Sequence, residues 1–420
     1  MLAACAVDSA PDAPPAPAAP APIPTQPAPA PAAPAPIPTQ PAPAPAPVPA
    51  PRPPATPSPP PADSQPAPVN PAPTPAQLAP APAPEPAPIP PADPSPAPYV
   101  ALREAAEFPV GVSLKAAQLQ SELFREVAGS VFSSITAGYE MKMRHVAPGP
   151  DAYRWHNVDA LVKFAEANQM QVHGHTLVWH QSTPRWLEEF AGSDEEFEDA
   201  VREYIAAMVG RYKGRVTSWD VVNEALDPRS GRLRDTVFRR RMGDDYVARL
   251  FQYAHEADPD ALLFYNEFGT TWDGAKREAM LAMVDDFQRR GIPIDGVGLQ
   301  MHVTYSFPDI GQIKAVMHEL VSRGLLVHVS ELDVRVNPDG DQTELTRSRS
   351  VDQFLRVRAI VTAFVALPPE NRYAITVWGL RDGESWLIDR WGNPEWPLLF
   401  DDYLDPKPAY FGFLEGLGVK

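Results

Sequence analysis

Two glutamates end apolar runs more than a hundred residues apart. Glu224 follows Trp219-Asp220-Val221-Val222, and Glu331 follows Val327-His328-Val329-Ser330. Two carboxyl groups facing each other about 5–5.5 Å apart can cleave a glycosidic bond with retention. One protonates the leaving oxygen and the other attacks the anomeric carbon. Other runs end on Lys142, His175, Trp179 and His180, Asn223, Asn266-Glu267, Gln300 and His302, Asp333, and Trp378 with Asp382. A ring of carboxylates, amides, imidazoles and indoles suits a sugar. Its hydroxyls need donors and acceptors, and its C–H faces stack on aromatic rings.

Something must bring these run ends together. Eight short β-rich runs recur after Tyr99: 108–113, 133–138, 171–179, 216–222, 262–267, 296–303, 326–332 and 374–379. Segments with apolar residues three and four apart lie between them, such as Val158 to Asn168 and Glu196 to Tyr212, and predict helices. Eight strands alternating with helices over about 320 residues predict an α/β (β/α)₈ TIM barrel. Such a barrel carries its chemistry at the C-terminal ends of its strands. A doubly wound open sheet would show a Gly-rich phosphate turn after an early strand, and none occurs.

Residues 99–420 resemble family 10 glycoside hydrolases, the family of retaining endo-β-1,4-xylanases. The strings that carry the resemblance are VHGHTLVWH (172–180), SWDVVNEAL (218–226), DGVGLQMH (295–302), VSELDV (329–334), TVWGLRDGESWL (376–387) and PKPAY (406–410). The resemblance implies Glu224 as general acid/base and Glu331 as nucleophile. It implies Asn223 as the amide on the 2-hydroxyl of the reacting sugar. It implies His302 as the imidazole on the nucleophile, held in turn by Asp333. Lys142, His175, Trp179 and Gln300 surround the reacting sugar on this reading, with Trp378 and Trp386 as aromatic walls. Glu224 must start protonated, which a neighbouring Glu331 carboxylate favours by like-charge repulsion.

The sequence also departs from the family. Thr-x-Glu-Asn-x-Met-Lys-Trp is usual after strand two, whereas this chain has Thr136-Ala137-Gly138-Tyr139-Glu140-Met141-Lys142-Met143. Gly138 and Tyr139 replace the Glu and Asn that bind sugar on the glycone side. Either Glu140 compensates, or the glycone subsite is altered, with Tyr139 stacking on a sugar or narrowing the slot. The usual Asn-Asp-Tyr-Asn after strand five reads Asn266-Glu267-Phe268-Gly269, losing a phenol hydroxyl and an amide on the aglycone side.

Two other classes compete. A metal-dependent amidohydrolase would use His173 and His175, with His302, His328 and Asp382 on later strands. Its His-x-His pair belongs on the first strand, however, and the two glutamates would go unexplained. A non-catalytic glycan-binding barrel, or a hydrolase of another β-linked glycan, would fit the altered Gly138/Tyr139 segment. No cofactor and no metal is implied, and no oligomer signal stands out, so a monomer acting on a polysaccharide is expected.

Residues 1–98 are of another kind. They hold 40 of the chain's 55 prolines. Proline removes backbone donors and fixes φ, and Ala and Pro bury too little to offset ordering entropy. The string PAPAAPAPIPTQ occurs at 15–26 and again at 29–40. A disordered, extended polyproline II linker is expected. Leu2-Ala3-Ala4-Cys5 resembles a lipobox, so Cys5 is the expected lipid anchor of a cell-surface or extracellular protein, although a leader needs basic and apolar segments before its cleavage site. Cys5 is the one cysteine, which excludes intrachain disulfides and Cys-ligated zinc. Residues 99–420 carry a net charge of −13, a poor match for nucleic acid, where affinity comes from neutralising phosphates.

Overall fold

The computed structural model describes residues 99–419. The tail expectations, including the linker of 1–98, its repeat and Cys5, lie outside the described residues. The strands are β1 (Val110–Leu114), β2 (Ser134–Ala137), β3 (Gln171–Trp179), β4 (Ser218–Asn223), β5 (Leu262–Glu267), β6 (Gly296–Leu299), β7 (His302–Thr304), β8 (Leu326–Arg335) and β9 (Arg372–Val377). Neighbours pair in parallel from β1 to β6. The ring then continues from β6 to β8 and β9 and back to β1. Eight parallel strands thus close on themselves with helices between them, a TIM barrel.

One predicted strand differs. The run 296–303 is two strands, β6 in the barrel wall and β7 beyond it. Met301 between them takes φ of +59°, which ends regular pairing, because a left-handed residue cannot continue a β ladder. The chain then re-pairs on the extended end of β8, with His302 opposite Asp333. The predicted seventh strand accordingly runs three residues further, to Arg335.

The outer helices follow local rules. The helix Asp194–Arg211 starts at a capping box, in which the Ser193 hydroxyl accepts from the Glu196 N–H and the Glu196 carboxylate accepts from the Ser193 N–H. Such a box satisfies N–H groups that have no partner inside the helix. Phe197, Val201, Tyr204, Ile205 and Met208 recur three or four apart and are buried. That spacing gives one apolar stripe facing the barrel.

The barrel floor is polar and aromatic. His173 Nδ1 lies 2.6 Å from Ser218 Oγ, and His328 Nε2 lies 2.9 Å from Thr376 Oγ1. Phe264 and Tyr373 close the layer. Burial, with His173 alongside, pushes the His328 pKa well below its ordinary value, so that imidazole is neutral. Trp219 is fully buried against Gly174, where an added Cβ would lie 2.1 Å from the indole. Overpacking of this kind costs about 1–3 kcal/mol. Gly174→Ala is therefore expected to lower the unfolding free energy by that margin, read as a lower urea midpoint, and an unchanged midpoint would show that the indole has room to move.

Candidate active site

A cleft of about 650 Å³ opens at the C-terminal ends of the strands. It contains Tyr139, Lys142, His175, Trp179, Asn223, Glu224, Gln300, His302, Glu331, Trp378 and Trp386, whereas His180, Asn266, Glu267, Asp333 and Asp382 of the expected ring do not line it. Asp333 sits behind His302. The β1–β2 side contributes Lys115, Gly138 and Tyr139, and the segment after β5 contributes Phe268 and Trp272.

Glu224 and Glu331 are 8% and 5% exposed, so each needs hydrogen-bonding partners. An amide chain supplies them. Gln300 Nε2 donates to Glu224 Oε1 and to Asn223 Oδ1, at 3.1 Å each. Asn266 Nδ2 donates to the same Asn223 oxygen at 3.1 Å and to Glu331 Oε1 at 2.7 Å. Ser330 Oγ donates to Asn266 Oδ1 at 2.6 Å and fixes that amide. The other oxygen of Glu331 lies 3.2 Å from His302 Nε2, and His302 Nδ1 lies 2.9 Å from Asp333 Oδ2. Trp386 Nε1 donates to that same Asp333 oxygen at 2.9 Å.

These contacts set charge states. Burial pushes the Glu331 pKa up, but the His302 hydrogen bond and the charges of His175, His302 and Lys142 outweigh it and hold the carboxyl below its usual range. Burial opposes a charge on His302. The Asp333 carboxylate and then Glu331 overcome that and raise its pKa to about 10, so it is an imidazolium at neutral pH. Burial lowers the Lys142 pKa, while Glu331 and Glu224 oppose the shift. The Lys142 ammonium stands 4.9, 5.2 and 5.9 Å from the rings of Trp179, Tyr139 and Trp378, within range of cation–π attraction.

The turn that presents Glu224 is built from below. Glu224 takes φ of +56°, a region that costs a non-glycine residue about 1–2 kcal/mol. Its N–H donates to Asn266 O at 3.0 Å, the Ala225 N–H to Tyr265 Oη at 3.2 Å and the Leu226 N–H to Glu267 Oε2 at 3.2 Å. Glu267 also pairs with Lys276 at 2.8 Å, and both are buried. Glu267 therefore does not face the cleft with the ring expected from sequence. It anchors the backbone beneath the acid, while Phe268 takes the wall position, with the Lys276 ammonium 3.3 Å from its ring centre.

Two further expectations are corrected. Asp382 lies off the cleft, where it is buried against Lys407 at 2.8 Å and accepts from the Leu398 N–H. Burial raises its pKa to about 6 against the opposing pull of Lys407. Glu140 does not line the cleft. Its carboxylate oxygens accept from the N–H groups of Ala116 at 2.6 Å and Tyr139 at 3.2 Å. The imidazoles of the His-x-His pair are also committed. The Asp220 carboxylate lies 2.8 Å from His175 and 3.1 Å from His173. Asn266 was expected in the strand-end ring without a role, and the structure gives it one, as the amide that holds Glu331.

The profile of "Glycosyl hydrolase family 10" matches residues 101–416. The chain is similar to endo-beta-1,4-xylanase Xyn10C of Cellvibrio japonicus, 39% identical over 347 residues, spanning 75% of this chain and 57% of that protein. It thus spans little more than half the length of that relative. Endo-1,4-beta-xylanase B of Paenibacillus barcinonensis is 35% identical over 326 residues, 75% of this chain and 97% of that one. The solved structure of native xylanase10C from Cellvibrio japonicus superposes with a TM-score of 0.73 at 38% identity, covering 76% of this chain and 73% of that chain. A mutant of the same xylanase has been solved in complex with xylopentaose. The match spans the whole barrel and the cleft residues lie on it: the chain belongs to glycosyl hydrolase family 10.

Proposed function

We propose that residues 99–420 form a retaining, endo-acting β-1,4-xylanase with an altered glycone subsite at Gly138 and Tyr139. The observation that carries this reading is the pair of buried carboxylates, Glu224 and Glu331, joined through Gln300, Asn223 and Asn266 in one cleft. Relatives named as endo-xylanases and a relative's complex with xylopentaose support the substrate.

The chemistry follows from the contacts. Asn266 and His302 each hold one oxygen of Glu331, so the ionised carboxylate is aimed and cannot rotate. It attacks the anomeric carbon as Glu224 protonates the departing oxygen. The sugar is then an ester of Glu331, the repulsion between the two acids is gone, and Glu224 takes a proton from the incoming water. The supporting amides move no protons and serve to keep this geometry. The altered subsite rests on Gly138, whose missing side chain leaves the sugar hydroxyls one polar partner short, and on Glu140 being held by backbone.

Glu224→Ala is expected to lower kcat on xylan about 10²–10⁴-fold. Aryl xylosides with good leaving groups should lose far less, with azide restoring part of the rate. Glu331→Ala should abolish retaining turnover on both substrates. Equal losses across substrates in both variants would contradict the assignment.

The subsite is tested by rebuilding it. A Cβ on Gly138 would lie 3.3 Å from Leu114 O and Ser113 Oγ, tight but open to a small shift. Gly138→Glu with Tyr139→Asn should raise kcat/KM on linear xylo-oligosaccharides about tenfold or more, since an unpaired polar contact costs about 1–3 kcal/mol. Indistinguishable rates and cleavage patterns would remove the altered-subsite reading.

The His302 charge makes stability depend on pH. Its folded pKa, about 10, is above its unfolded value, so its contribution is complete below about pH 6.5 and fades as pH rises toward 10. Urea unfolding at pH 6 and pH 10 should show a loss of a few kcal/mol in the wild type that is largely missing in His302→Gln. Parallel slopes in the two proteins would place the charge elsewhere.

A further inference from the structure

A partly buried cation at the glycone end of the cleft forms no salt bridge among the described residues. Lys115, just after β1, is partly buried and lines the cleft beside Gly138 and Tyr139. Its ammonium is 5.1 Å from the centre of the Tyr139 ring, and the Lys142 ammonium is 5.2 Å from the same centre. No carboxylate lies within salt-bridge distance of Lys115 among the described residues. The acids nearby are otherwise engaged. Glu140 accepts from two backbone N–H groups, and Glu384 pairs with Arg381 and takes a hydrogen bond from Gln118. Glu224 and Glu331 are within the electrostatic reach of Lys142.

The rest of this rim is basic or neutral. The Arg144 guanidinium donates to Thr183 O at 3.2 and 3.1 Å, a neutral acceptor. Burial and then Lys142 lower the His145 pKa, so that ring, 5.6 Å from Tyr139, is neutral. Arg390 is exposed and also lines the cleft. In a domain with a net charge of −13, a local excess of cations at one end of a sugar cleft is a specific feature. It exists because glycine stands at position 138. A side chain there would start 3.5 Å from Lys115 Cγ, so a glutamate would meet the ammonium and neutralise it.

We propose that the glycone end of the cleft takes a sugar bearing a carboxylate, a uronic acid substituent on the xylan chain, held by Lys115 with its ring against Tyr139. This rests on the xylanase reading and narrows it to acidic xylan. The ammonium supplies a charge-assisted hydrogen bond to the carboxylate. The half-exposed Tyr139 ring supplies an apolar face for the sugar, and the open space at Gly138 leaves room for a branch.

The test uses the full chain and paired substrates: xylo-oligosaccharides with one uronic acid substituent, and the same compounds with the carboxyl reduced to an alcohol. The wild type should show kcat/KM about tenfold higher on the acid, and the ratio should shrink in 0.5 M NaCl. Product masses should place the uronate on the fragment bearing the new reducing end. Lys115→Met and, separately, Gly138→Glu should bring the acid-to-alcohol ratio toward one, while Lys115→Arg should keep it. The ratio is internal to each protein, so a general loss of activity does not imitate the result. A wild-type ratio of one, a ratio unmoved by Lys115→Met, or uronate on the other fragment alone overturns the inference and leaves the xylanase reading intact. No reducing ends from any xylan, linear or decorated, would instead overturn the xylanase reading on which it rests.

Discussion

Two buried carboxyl groups in one cleft must be held close together in spite of their repulsion. The amide chain from Glu224 through Gln300, Asn223 and Asn266 to Glu331 is how this protein does it. Its five residues come from four barrel strands, Asn223 and Glu224 from the end of β4 and just after it, Asn266 from β5, Gln300 from just after β6 and Glu331 from β8. The chain therefore exists only if β4, β5, β6 and β8 keep their parallel register. Burying an ionised group is costly unless hydrogen bonds and opposite charge replace its water. Much of the C-terminal face of the barrel is devoted to that replacement. Asn266 is fixed by Ser330, His302 by Asp333, and Asp333 by Trp386.

The same constraint explains the polar groups away from the reacting atoms. Glu267 and Lys276 neutralise each other beneath the acid turn, and Asp382 and Lys407 do so under the segment after β9. Asp220 sits between two histidines. None of these groups needs to touch substrate. They hold a backbone turn or an imidazole in place, and the left-handed Glu224 is tolerated because three N–H groups in succession are caught by β5. Against this pattern of matched charges, the unmatched Lys115 stands apart.

Part of the fold was legible in sequence because local physics is periodic. Strand and helix spacing predicted eight barrel strands, and the capping box at Ser193 marks where one helix starts. The break at Met301 was not legible, since no residue there signals a left-handed backbone. The pairing of β7 with β8 depends on strands that are distant in sequence. Sequence also put Glu267 and Asp382 among residues that face sugar and offered Glu140 as a replacement for one that does. All three sit at or near strand ends, but strand position does not reveal which way a side chain turns or which lysine or N–H group it meets.

The sequence by itself determined the residue types at the strand ends. With them came the chemistry available, two carboxylates with amide, imidazole and indole support, because composition and order along a strand are local facts. Tertiary structure alone decided which of those residues share a site and which charges cancel. Asn266 proved to be a clamp on Glu331, Glu267 a support beneath Glu224, and Lys115 a cation without a partner. Those outcomes depend on distances between side chains far apart in the chain, and closing the barrel sets them.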